Sequence, residues 1–271
     1  MGRIRLDALV VERGLADSRA LAQALIMAGQ VRLNGEVALK PGTGVSAEAI
    51  VDVERGPRFV SRGGEKLDAA LTAFELNVTG LVCADVGAST GGFTDCLLQR
   101  GADRVYAIDV GKGILHWKLR QDGRVVVMEQ TNARFVERLP EPVSLITIDA
   151  SFISLRVLLP VVRRWLESVE GGKQPGILAL IKPQFEAGRS AVARGKGVIR
   201  DTALHQQILL EILEFCAVQG LRAQGLLRSP LLGPKGNVEF LVWLSPDSGR
   251  WEREAAEMVE AALSSAAPPA A

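Results

Sequence analysis

Residues 85–95 read Asp-Val-Gly-Ala-Ser-Thr-Gly-Gly-Phe-Thr-Asp, and two chemistries fit them. The Gly87–Gly91 core is a G-x-S-x-G, which would make Ser89 the nucleophile of a hydrolase. The same letters make a glycine-rich turn between a strand and a helix, where small residues let a cofactor lie against the backbone. In that reading Asp85, Gly87, Ala88, Ser89, Gly91, Gly92, Phe93 and Thr94 form the cofactor loop. Asp109 ends the next apolar run, where a carboxylate accepts hydrogen bonds from ribose hydroxyls. Asn132 follows the third run, where an amide could read an adenine edge. The three places together outline an adenosine-containing cofactor. Four further charges, Lys66, Asp149, Lys182 and Glu239, stand at or near apolar runs. Buried charges persist only when paired, so two lysines and two carboxylates converging on one cleft would pair with one another.

Positioning these residues takes a sheet. Apolar runs at Leu81–Val86, Arg104–Val110, Val125–Glu129, Ser144–Asp149, Gly176–Ile181 and Val238–Leu244 alternate with helical stretches at Glu65–Phe74, Gly92–Gln99, Val157–Val169 and Thr202–Cys216. Continuous apolar strands separated by helices predict a parallel α/β sheet covered on both faces. Such sheets bind ligands outside the strands' carboxyl ends. The segment from residue 247 onward reads as a tail holding one helix. Residues 58–64 read as a linker, and residues 1–57 as a separate small unit: two short helices, then a hairpin turned by Asn34-Gly35, a pair suited to positive φ at both central positions. So small a core suits binding better than catalysis.

The chain has 271 residues, 48% of them hydrophobic, and a formal net charge of +1. That charge excludes a polycation, so contacts to nucleic acid must come from local clusters. No apolar stretch has the length to span a bilayer, and the N-terminus carries no signal-peptide pattern. The three cysteines have no metal-ligand or redox spacing and fit a reducing, cytoplasmic setting. No metal-ligand cluster is present, and no oligomeric state is legible.

Arg5-Leu6-Asp7, Gly14, Ser18-Arg19, Gly29, Val31-x-Leu33-Asn34-Gly35 and Lys40-Pro41-Gly42 resemble the S4 RNA-binding domain. That resemblance implies RNA contacts from Arg3, Arg5, Arg19 and Arg32. In the larger part, D-x-G-x-x-x-G-G-F-T looks like the first motif of the S-adenosylmethionine-dependent methyltransferases. NAD is the weaker candidate, since its fingerprint keeps a glycine where this chain has Ser89. SRGGEKL, DVGASTGGFTD, IDASFISL and IKPQFE, placed behind an S4-like module, resemble the TlyA family, first labelled hemolysins. The resemblance implies a Rossmann-like FtsJ/RrmJ-type methyltransferase, S-adenosylmethionine as cofactor, and 2′-O-methylation of ribosomal RNA, with cytidines of either subunit as targets. It also implies a Lys66–Asp149–Lys182–Glu239 catalytic tetrad. Methyl transfer to a ribose hydroxyl requires that weak acid to lose its proton, and a lysine serves as base when a nearby cation or desolvation lowers its pKa. Arg62 and the basic stretch carrying Arg189, Arg194, Lys196 and Arg200 are further candidates for phosphate contacts.

Two alternatives belong to other classes. A hydrolase would need Ser89, Asp149 and His205 as a triad, yet His205 falls inside an amphipathic helix rather than on a loop beyond a strand. The other is a non-catalytic RNA-binding or membrane-damaging protein, as the hemolysin label would suggest, though the membrane-damaging version lacks a spanning or strongly amphipathic segment.

Overall fold

In the computed structural model the described residues are 3–54, 56–166, 175–187, 197–246 and 255–265. They divide into two compact units, Met1–Arg58 and Phe59–Ala271.

The first unit begins with β1 (Ile4–Arg5), α1 (Leu6–Glu12) and α2 (Arg19–Met27). The Ser18 hydroxyl caps α2 by accepting from the Leu21 N–H at 3.2 Å. β2 (Val31–Leu33) and β3 (Glu36–Ala38) form the hairpin, and β5 (Val51–Val53) pairs with the other side of β2. Asn34 and Gly35 both take positive φ, 52° and 88°, as the turn requires. β4 (Gly44–Val45) pairs with β1, a contact that the sequence does not signal. Leu6, Leu9, Val10, Ala22, Ile26 and Val31 make a core separate from the second unit's.

The second unit runs α3 (Gly63–Ala73), β6 (Val82–Val86), α4 (Gly92–Gln99), β7 (Arg104–Ile108), α5 (Trp117–Gln121), β8 (Val125–Met128), β9 (Leu145–Ile148), α6 (Leu155–Val162), β10 (Gly176–Ile181), α7 (Pro183–Glu186), α8 (Thr202–Val218), β11 (Arg222–Arg228), β12 (Phe240–Ser245) and α9 (Ala255–Ser264). The seven strands lie in the order β11-β12-β10-β9-β6-β7-β8. Five of them pair in parallel, β10 to β8, and carry helices on both faces. α6, α8 and α9 cover one face with Leu159, Ile212 and Val259 at its centre. α3 and α4 cover the other with Leu67, Leu71 and Leu97.

Three expectations need correction. The sheet is not wholly parallel: β12 runs antiparallel to both neighbours. One of those neighbours, β11, was not anticipated, because Arg222-Ala-Gln-Gly-Leu-Leu-Arg228 lacks an apolar run. Its Gly225 makes room for Phe74, whose ring would lie 2.5 Å from an added Cβ. Residues 59–62 are not a linker. Phe59 is buried, an added Cβ on Gly64 would strike its ring, and the Val60 N–H donates to Asp95 at 2.8 Å. α9, expected in a tail, buries Met258, Val259 and Ala262 against the core. The three cysteines are buried and none is in a disulfide. No helix of the described residues is long and apolar enough to cross a membrane.

Candidate active site

The strand ends converge as the topology requires. β6 ends at Val86, and Gly87 takes a φ of +85° that turns the chain across the sheet edge. Only a glycine fits there, because an added Cβ would stand 2.8 Å from the Asp149 carbonyl oxygen. Ser89 is left-handed at φ 50°, and its N–H donates to the Asp109 Oδ2 at 2.8 Å. The Asp109 Oδ1 accepts from the Gly111 N–H at 2.7 Å. Asp109 therefore ties the glycine loop to the end of the neighbouring strand. A second carboxylate braces the next loop. Glu129 accepts from the N–H groups of Gly113, Ile114 and Leu115 and pairs with Arg120, and these bonds hold its carboxyl down at about 2.

Two adjoining cavities open at this edge. One, of about 460 Å³, is lined by Gly87, Ser89, Asp109, Asn132, Ala150 and Phe152 among others. The other, of about 520 Å³, is lined by Arg62, Lys66, Asp149, Lys182, Lys235 and Glu239 among others. Gly87, Ser89, Asp149 and Ser151 line both.

The second cavity gathers all four charged candidates. Lys182 Nζ lies 2.6 Å from Asp149 Oδ1 and donates to Ser151 Oγ at 3.0 Å. Lys66 Nζ donates to Glu239 Oε2 at 2.6 Å. Glu239 reaches this edge because β12 is antiparallel. Its start, where Glu239 stands, lies beside Ile181 at the end of β10. Glu239 is 1% exposed, and its Oε1 has no partner among the described residues. Buried polar atoms are nearly always bonded, so this oxygen is an exception, held in place by packing. Gly233 closes over it so tightly that an added Cβ would lie 2.1 Å away.

Other candidates divide. Ala88, Gly92 and Phe93 line the second cavity, and Asn132 lines the first while its Oδ1 caps the Arg134 N–H at 3.1 Å. Asp85, Gly91 and Thr94 line neither. Asp85 is fully buried beneath the loop and accepts from Thr94 Oγ1 at 2.7 Å and Thr147 Oγ1 at 3.1 Å. Burial pushes its carboxyl up to about 7, against those two hydrogen bonds. Its place is in the loop's foundation. Gly91 yields space to Leu119, 2.1 Å from where its Cβ would be.

The arginines also divide. Arg62 is exposed and lines the second cavity, and Arg3 is exposed. Arg5 and Arg19 pair with the buried Asp7 at 2.9 and 3.2 Å, and Arg32 pairs with Glu54 at 2.6 Å. Arg200 is exposed, while Arg189, Arg194 and Lys196 lie outside the described residues. His205 lines a third cavity that contains neither Ser89 nor Asp149, so no triad forms. Sequence reasoning did not single out Ser151, Lys235 or Phe152. Phe152 is 91% exposed at φ 63° and packs on Phe185 at 5.1 Å. A left-handed aromatic at a cavity mouth was signalled by nothing but its neighbourhood to Asp149.

Residues 59–245 match the FtsJ-like methyltransferase family model, and residues 4–51 match the S4 domain model. The 16S/23S rRNA (cytidine-2′-O)-methyltransferase TlyA of Mycobacterium tuberculosis is 45% identical over 92% of both chains. The chain belongs to the TlyA family of FtsJ-like methyltransferases. Hemolysin A of Brachyspira hyodysenteriae is 40% identical, over 88% of this chain and 98% of its own. A solved structure from Streptococcus thermophilus, provisionally named a hemolysin, is 40% identical with a TM-score of 0.70, covering 97% of this chain and 96% of that one. The FtsJ-like match spans the four charged residues and both cavities, and the S4 match lies wholly within the first unit.

Proposed function

We infer that this protein transfers the methyl group of S-adenosylmethionine to ribose 2′-hydroxyls of ribosomal RNA, cytidines being the targets named for its M. tuberculosis relative. What chiefly supports the inference is the pair of lysine–carboxylate bridges facing one cavity that shares a wall with a second. That adjoining cavity, the one of about 460 Å³, suits an adenosine-bearing ligand. Apolar Val110, Ile114 and Ala133 line it beside the Asp109 carboxylate and the Asn132 amide. In it Asp109 would hold the ribose and Asn132 the adenine edge, with Gly87 and Ser89 near the amino-acid end. When bound, S-adenosylmethionine supplies an electrophilic methyl group.

The chain's own residues do the rest. The Lys182 amine takes the proton from the 2′-hydroxyl, and the ammonium so formed is held by Asp149 and Ser151. Lys66 keeps a positive charge beside the developing alkoxide and is itself fixed by Glu239. Rigid placement of the hydroxyl supplies much of the rate. Arg62 and Lys235 contact phosphates at the rim, and the S4 unit adds affinity for the RNA partner, with cytoplasmic ribosomal subunits as its setting. The exposed Phe152 ring offers a stacking surface for a base.

Lys182→Ala tests this. Methylation of ribosomal RNA, read as ribose methylation in cells with and without the active protein, should vanish. Calorimetric binding of S-adenosylhomocysteine should persist. Methylation retained by the variant overturns the role of Lys182 as the base.

A further inference from the structure

A third cavity, of about 220 Å³, lies apart from the two already described. Arg200, Thr202, His205, Arg228, Val238 and Phe240 line it, and none of its lining residues is a carboxylate. Its floor holds an unsatisfied group. His205 is 5% exposed and packs edge-on against Phe240 at 5.8 Å. The ring donates to the Ile199 backbone carbonyl, and Nε2 has no partner among the described residues. Burial and the Arg228 charge keep the imidazole below its usual pKa, with only the Ile199 bond and Asp201 opposing them. Asp201 is committed elsewhere, since its Oδ1 accepts the Ala203 N–H at 2.9 Å. A neutral ring that donates through one nitrogen presents a lone pair at the other. The cavity thus offers two guanidiniums and one buried acceptor. The matching ligand carries an anion and a hydroxyl donor side by side.

We propose that this cavity is a subsite for the RNA backbone, taking a phosphate between Arg200 and Arg228 and a ribose hydroxyl on His205 Nε2. It rests on the ribosomal RNA reading above. A free nucleotide is the other source of the same chemistry, but 220 Å³ falls below the room a whole small ligand occupies. The position favours a strand. Val238 lines this cavity and Glu239, the next residue, lines the tetrad cavity. Consecutive strand residues face opposite sides, so the two cavities flank the start of β12, and an extended RNA strand lying across that edge of the sheet is the ligand that reaches both.

The test uses the full-length protein and a ribosomal RNA fragment that it methylates. Affinity is measured by fluorescence anisotropy across a salt series for the wild type, Arg228→Gln and Arg228→Lys. Removing one phosphate contact should weaken binding about five- to tenfold and lower the slope of log K against log salt by about 1. Arg228→Lys should restore the slope, which a merely structural role for Arg228 would not predict. S-adenosylhomocysteine affinity reports that each variant is folded. The chain has only two histidines, so the His205 ring resonances are assignable with His205→Gln. They should shift with the RNA fragment and stay unmoved by millimolar inorganic phosphate or cytidine monophosphate. An unchanged slope in Arg228→Gln overturns the subsite while leaving the methyltransferase reading intact. Saturation of the His205 shift by cytidine monophosphate overturns the RNA source and makes this a nucleotide site. A wild type that neither binds nor methylates ribosomal RNA removes both inferences together.

Discussion

Glu239 is held from two sides, with one oxygen on Lys66 and the other pressed against the Gly233 backbone. Gly233 has an ordinary negative φ of −67°, so its requirement for glycine is steric rather than conformational. Gly233→Ala places a methyl where the carboxylate sits. Overpacking of this kind costs about 1–3 kcal/mol, and the side chain that must yield belongs to the proposed catalytic set. The expected result is a methyl-transfer kcat lowered at least about tenfold with S-adenosylhomocysteine affinity unchanged; a wild-type kcat would show that the Lys66–Glu239 bridge is dispensable. Asp85 makes a second prediction. Its folded-state carboxyl, near 7, lies above the unfolded value of about 3.9. Folding therefore takes up a proton between those values. The contribution to stability is full below pH ~4 and is lost as pH rises toward ~7. Asp85→Asn carries no such proton. Urea titrations should show wild type falling behind the variant by a few kcal/mol across that window, and a difference that does not change with pH would refute the buried, uptake-prone carboxyl.

At the scale of elements, the first unit's helices are joined by a buried charge. Asp7, at the start of α1, accepts from Arg5, from Gln23 at 2.8 Å and from Arg19, the latter two on α2. The Arg5 bond chiefly holds its carboxyl far below the usual range, against burial. A depressed acid stabilises the fold above the unfolded pKa near 4, and that stabilisation is lost as pH falls through the folded value. The guanidiniums are about half exposed, which discounts their share. Asp7→Asn should cost about 1–3 kcal/mol, seen as faster hydrogen exchange of α1 and α2 amides near neutral pH with those of the second unit unaffected. This clamp also shows where sequence reading stops. Arg5 and Arg19 stood out as basic, but their carboxylate partner was visible only as one acidic residue among many. The parallel core was legible because its strands are buried on both faces and so read as unbroken apolar runs. The glycine loop was legible because its turn conformations admit few residues. β11 was hidden by its polar letters, and the reversal of β12 by the absence of any local mark of strand direction. Glu239 was legible as a charge beside an apolar run, yet its route to the cleft depends on that reversal. Asp85 was misplaced because a loop acid looks the same whether it faces a ligand or a pair of threonines.

For the molecule as a whole, the division of labour follows from the division of cores. Both cavities and all four paired charges belong to the second unit, whose sheet is closed over by its own helices on both faces. The first unit buries a small core of its own, and the described residues lining those cavities belong to the second. Binding of the cofactor should then be indifferent to the first unit, whereas affinity for a polyanion gains from every added cationic contact. Removal of residues 1–58 should leave S-adenosylhomocysteine affinity within about twofold, since a change of that size is only a few tenths of a kcal/mol. RNA affinity should fall at least about tenfold, with a shallower salt dependence, because phosphate contacts are lost and their counterions are no longer released. Calorimetry and anisotropy on the same truncated protein decide the matter. Equal loss of both affinities would mean that the second unit does not hold its shape alone, and an unchanged RNA affinity would mean that the S4 unit's arginines are committed to Asp7 and Glu54 rather than to RNA.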